Sequence, residues 1–118
     1  MIQGVRLIQL QNETPPADAH RRLPATRRVL RTADIDIICF TFSPGQVLGD
    51  HHVGHPIIVH CLSGCIGFLV EGHSIRLTAG SILHLDAGIT HHLSCPEPST
   101  ETAVILLTHL KHDRRTPS

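Results

Sequence analysis

The chain has 118 residues, eleven of them histidine, and four of these, His51, His52, His55 and His60, crowd into the segment GDHHVGHPIIVHCLSGC, Gly49 to Cys65. A second pair, His91 and His92, follows downstream. Imidazole titrates near neutral pH, moves protons, and offers a neutral nitrogen to a metal ion. Such a cluster is therefore either a site or a histidine-rich sheet edge whose rings bond to carbonyls and water. Other reactive groups are sparse. No Ser-His-Asp or Cys-His arrangement has a local signature, and Cys61 adjoins His60 on a strand, so the two side chains face opposite ways. The four cysteines, Cys39, Cys61, Cys65 and Cys95, contain no CxxC pair and read as reduced, buried thiols. Asp50 stands beside the cluster, where a carboxylate can orient an imidazole. Asp86 reads as a turn residue capping its own backbone.

The elements that must carry these residues are strands. DIDIICFTF, Asp34 to Phe42, alternates and then turns β-branched and aromatic, and SPGQ follows as a turn. From Pro56 onward IIVHCL, CIGFLV, HSIRL, ILHL, THHLSC and TAVILLTHL succeed one another, with Ser63-Gly64, Glu71-Gly72, TAGS, DAGI and PEPST between them. Glu71-Gly72 has the composition of a short hairpin turn. No segment carries helical periodicity over three turns. Short strands at such spacing predict an all-β sandwich or barrel. VRLIQL near the N-terminus reads as one more strand. HRRLPATRRVLR, with five arginines, reads as a charged edge strand. With three Phe and no Trp or Tyr, the core must come from Ile, Leu and Val.

Bulk composition narrows the function classes. Ten basic and ten acidic residues cancel, which argues against an electrostatic grip on nucleic acid or anionic lipid. No apolar run approaches the ~20 residues of a spanning helix, and no signal peptide is visible, so a cytoplasmic location is expected.

The glycines sharpen the picture. Gly45, five residues, His51 and a turn glycine at Gly64 form one pattern; Gly80, five residues, Asp86-Ala87-Gly88, two residues and His91 form a second. Together they resemble the two motifs of a small single-domain cupin, a double-stranded β-helix or jelly-roll barrel, over Pro44 to Leu110. The resemblance implies a cavity at the barrel mouth. In metal-binding members two histidines of an HxH unit, a glutamate and the second-motif histidine hold one divalent ion. His51 and His91 match the first and last of these, whereas Val53 replaces the second histidine, Ile58 the glutamate and Asp86 the second-motif proline.

The resemblance therefore implies a modified site. Side chains two apart on a strand share a face, so His60 is expected to point where Ile58 points. His51, His60 and His91 become three candidate ligands for Zn, Ni, Cu, Fe or Mn, with His55 as a possible fourth and His84, Ile58 and Val53 as further lining. His73, His109 and His112 read as turn, strand-end and tail residues, and His20 as linker. Two functions compete: a metalloenzyme of oxygenase, isomerase or lyase type, and a non-catalytic small-molecule or metal sensor without bound metal. A homodimer is expected, paired through sheet faces or the N-terminal strand. The chain divides into an N-terminal strand and arginine-rich arm at 1–32, a barrel at 33–110 and a polar tail at 111–118.

Overall fold

The computed structural model describes residues 2–96 and 101–111. His112 and the tail beyond it, and most of PEPST, lie outside them. Among the described residues nine strands form two antiparallel sheets. In chain order they are β1 (Ala25–Arg31), β2 (Ile35–Phe42), β3 (Val47–His51), β4 (Ile57–Ser63), β5 (Cys65–Val70), β6 (His73–Thr78), β7 (Ile82–Leu85), β8 (His91–Ser94) and β9 (Ala103–Leu110). One sheet runs β1-β2-β9-β4-β7 and the other β3-β8-β5-β6. The many non-sequential neighbours make this a jelly roll rather than a meander.

Alternation decides which side chains fill the space between the sheets. Phe40 and Phe42 on β2, Ile57, Val59 and Cys61 on β4, and Ala103, Ile105 and Leu107 on β9 point inward from one sheet. Ile66, Phe68, Leu77 and Leu93 meet them from the other. The core is thus mostly aliphatic, as the composition requires, although Phe42 and Phe68 are among its largest members.

The turns follow their residues. Glu71 and Gly72 both take positive φ, 48° and 81°, and join β5 to β6 as a two-residue hairpin loop. Gly64 has φ 73°, and a Cβ there would overlap the Thr102 carbonyl and lie 2.8 Å from the Ala103 Cα. Only glycine fits where the β4–β5 turn presses on the start of β9.

The N-terminal region differs from expectation. VRLIQL forms no strand; a single helical turn, α1 (Leu10–Glu13), stands at its end, and Val5 and Leu7 are exposed. The segment has strand composition but pairs with no edge strand of either sheet. Beyond it the chain is fastened to the barrel. The Thr41 hydroxyl donates to the Pro15 carbonyl at 2.7 Å, and the Gln46 amide donates to the carbonyls of Asp18 and Arg21 at 2.7 and 2.9 Å. The arginine-rich segment contributes β1, an edge strand of the larger sheet. Arg27 pairs with Glu13 and Arg28 with Asp36, both at 2.9 Å. The sheet therefore begins before residue 33. All four cysteines are free, and burial raises the thiol pKa of Cys39, Cys61 and Cys95, keeping them protonated and inert.

Candidate functional site

A cavity of about 190 Å³ opens between the sheets at one end of the barrel. Its walls are Ile38 and Phe40 of β2, Leu48 and His51 of β3, Val53, Ile57 of β4, His91 of β8, and Leu107 and His109 of β9. Leu48 and His51 are three apart, which on a regular strand would set them on opposite faces. An irregularity in the β3–β8 ladder between them lets both line the cavity. The same ladder sets His51 directly opposite His91, and their rings meet edge to face at 5.7 Å. The Gly88 N–H donates to the Val53 carbonyl at 2.8 Å, tying the loop after β3 to the turn before β8.

His91 is the most constrained of these rings. It is 2% exposed, and its Nδ1 lies 3.0 Å from the Ile89 carbonyl oxygen. A carbonyl only accepts, so Nδ1 carries the proton and Nε2 holds a lone pair. That buried Nε2 has no partner among the described residues. Burial pushes the His91 pKa below the ordinary histidine value; the Ile89 bond opposes this, and His51 and His52 add to it.

His109 is a strand-end residue, next to last on β9, and it has a role at the site that the sequence reading did not assign. It stands in phase with Ile105 and Leu107 on β9 and lines the cavity. The alternation of AVILLTHL was the available signal. Its Nδ1 lies 2.7 Å from His55 Nε2, and the rings are T-shaped at 4.9 Å. Burial lowers the His109 pKa and His55 lowers it further, against the opposing pull of Asp36; His51 and Lys111 also lower it.

The other expected residues fall as follows. Val53 lines the cavity with His51 and His91. His55 does so only indirectly, through His109. His60, Ile58 and His84 do not. Ile57, Val59 and Cys61 are the inward residues of β4, so Ile58 and His60 face outward. His84 pairs with Ile58 across the β4–β7 ladder and shares that outer face, as does Ile82, which pairs with His60. The error has a definite cause. Ile58 was placed by a count back from Gly64 that falls one residue late; the inside–outside alternation of β4 is regular from Ile57 to Cys61, so Ile58 and His60 share the outer face. The inward neighbour at that depth is Ile57. Asp50, expected beside the cluster, lies 3.6 Å from His92 rather than against His51 or His91.

These placements bear on a metal. With His60 turned outward and Val53 and Ile57 apolar, the ligand set is incomplete. Among the described residues no three His, Cys, Asp or Glu side chains come together as a group able to hold an ion. The residues present do not fit a resident metal.

Structural comparison supports the architecture. A protein with a double-stranded β-helix domain from Klebsiella pneumoniae superposes with a TM-score of 0.75 at 20% identity, over 91% of this chain and 90% of that one. A cupin superfamily protein from Desulfitobacterium hafniense gives 0.69 at 15% identity, over 80% and 84%. The chain has a cupin fold. KdgF from Halomonas sp. shares this cupin architecture with a TM-score of 0.71 at 22% identity, over 97% of this chain and 100% of that one. No family profile and no curated protein matches the sequence. No helix among the described residues is long and apolar enough to cross a membrane.

Proposed function

We propose that this cupin barrel binds a small organic molecule in the cavity at its open end, without a resident metal. One observation carries the reading: six apolar side chains, Ile38, Phe40, Leu48, Val53, Ile57 and Leu107, enclose the space, and His51, His91 and His109 are its polar groups. Apolar walls with a few convergent polar groups are the general form of a ligand pocket. Among the described residues no carboxylate, lysine or arginine lines it. Of the two functions weighed from the sequence, this favours the binding module over the metalloenzyme, because the donor set falls short of an ion.

The test is made on protein purified without a histidine tag. Elemental analysis before and after incubation with Zn, Ni, Cu, Fe or Mn is set beside ligand-observed NMR with small aromatic compounds. The reading expects compound binding that Leu107→Phe abolishes by filling the cavity, and no stoichiometric ion. A divalent ion held by wild type and lost in His91→Ala would overturn it.

Self-association belongs to the same proposal. The outer face of the larger sheet presents Ile58, His60 and Ile82, and the chain carries no net charge to oppose pairing. Sedimentation is expected to show a dimer; a monomer at all concentrations would refute it.

A further inference from the structure

We infer that the cavity selects uncharged, apolar-bodied molecules bearing a single hydroxyl, and that His109, held by His55, is the residue that reads the hydroxyl. The inference rests on the small-molecule reading above. The cavity, about 190 Å³, is large enough for a ring-sized ligand, since apolar protein cavities of ~150 Å³ take up benzene. Of the polar groups around it, two are fixed by the protein and differ in access. His91 Nε2 is sealed from solvent, as its appearance among the buried atoms without a partner shows. The His109 ring is half-buried and lines the cavity, and with its Nδ1 engaged by His55, which is not part of the lining, Nε2 is its remaining ring nitrogen. It is the nitrogen that an incoming ligand can meet.

His55 determines how that nitrogen is presented. The 2.7 Å contact between His55 Nε2 and His109 Nδ1 occupies the far side of the ring and orients it. Whichever ring supplies that proton, His109 Nε2 is left either as an acceptor or as a donor. A hydroxyl both donates and accepts, so it matches either tautomer. A carboxylate only accepts, and it would bring a charge into a space that, among the described residues, no lysine or arginine lines. A hydrocarbon of the same shape would fill the space but leave Nε2 unpaired and dehydrated.

The experiment compares three probes, phenol, toluene and benzoate, on wild type, His109→Leu, His55→Ala and His55→Gln, with affinities from NMR titration. Wild type is expected to bind phenol about tenfold more tightly than toluene, the scale of one hydrogen bond to a buried group, and benzoate most weakly. His109→Leu keeps toluene binding and loses the preference. His55→Ala reduces the preference and His55→Gln, which retains a polar partner for the ring, restores part of it. Should His109→Leu fail to fold, the ¹⁵N signal of His109 Nε2 in wild type is read instead, and it must shift with phenol and not with toluene. Equal affinity for phenol and toluene, a preference that survives His109→Leu, or tighter binding of benzoate overturns the inference and leaves the cavity reading standing. Failure of every probe to bind wild type overturns the cavity reading itself.

Discussion

Two histidine-bearing faces of the same sheet invite comparison. On the inner face His109 of β9 stands beside Ile57 of β4, at the end of the apolar core. On the outer face His60 and His84 stand among Ile58 and Ile82. The residue types are the same. The surroundings are not: the inner ring is half-buried, bonded to a second imidazole and held neutral by burial, while the outer ones stand outside the barrel, and Asp86 near His84 only reaches 4.0 Å. One face can enclose a ligand and the other can only cover a surface. What separates them is parity along a strand, which is regular from Ile57 to Cys61 and meets an irregularity only between Cys61 and Ser63.

The largest expected effect comes from the turn beside that irregularity. Gly64→Ala must either strain a positive φ or displace the start of β9, and it is expected to cost about 3 kcal/mol or more, read as a lowered denaturant midpoint. An effect below about 1 kcal/mol would show that β9 is not pressed on this turn. Next, Leu107→Ala on the inner face should cost about 2–5 kcal/mol, whereas Leu106→Ala, one residue away on the outer face, should cost about 1 kcal/mol or less. Equal costs would erase the distinction between the faces.

A smaller effect is expected from pH. His91 and His109 titrate lower in the folded chain than the roughly 6.5 of an unfolded histidine. The unfolded chain therefore binds more protons in the window below 6.5, and stability rises with pH there. The contribution is complete above about pH 6.5 and is lost as pH falls towards the lowered values. Replacing His109 with Leu should flatten this slope in pH-dependent denaturation; a slope unchanged in that variant would contradict the burial of its ring. Smallest of all, His60→Ala and His84→Ala should each change monomer stability by no more than about 0.5 kcal/mol.

Much of the fold was legible. Alternating apolar strands, glycine turns and two spaced motifs pointed to the barrel, and the hairpin at Glu71-Gly72 was readable from residue chemistry alone. β3 was missed, because VLGDH has neither clean alternation nor β-branched density and is held by its pairing with β8. VRLIQL failed in the opposite way: its composition suits a strand, but it pairs with none of the sheet edges, and composition alone does not specify a pairing partner. At the site His51, His91 and Val53 were legible from motif spacing, which counts residues and so already includes the irregularity between Leu48 and His51. His60 was misplaced because its placement rested on Ile58 facing inward; the two do share a face, as alternation requires, but it is the outer one, and Ile57 is the inward residue. His109 was readable in principle, two residues beyond the inward Leu107.

The most direct measurement follows backbone amide shifts while phenol is titrated into the wild-type protein. The account predicts that the perturbed residues are those of the inner end, Leu48, His51, Ile57, His91, Leu107 and His109, while Ile58, His60, Ile82 and His84 stay unmoved. Perturbation centred on the outer-face residues, or none at the inner end at saturating phenol, would contradict it.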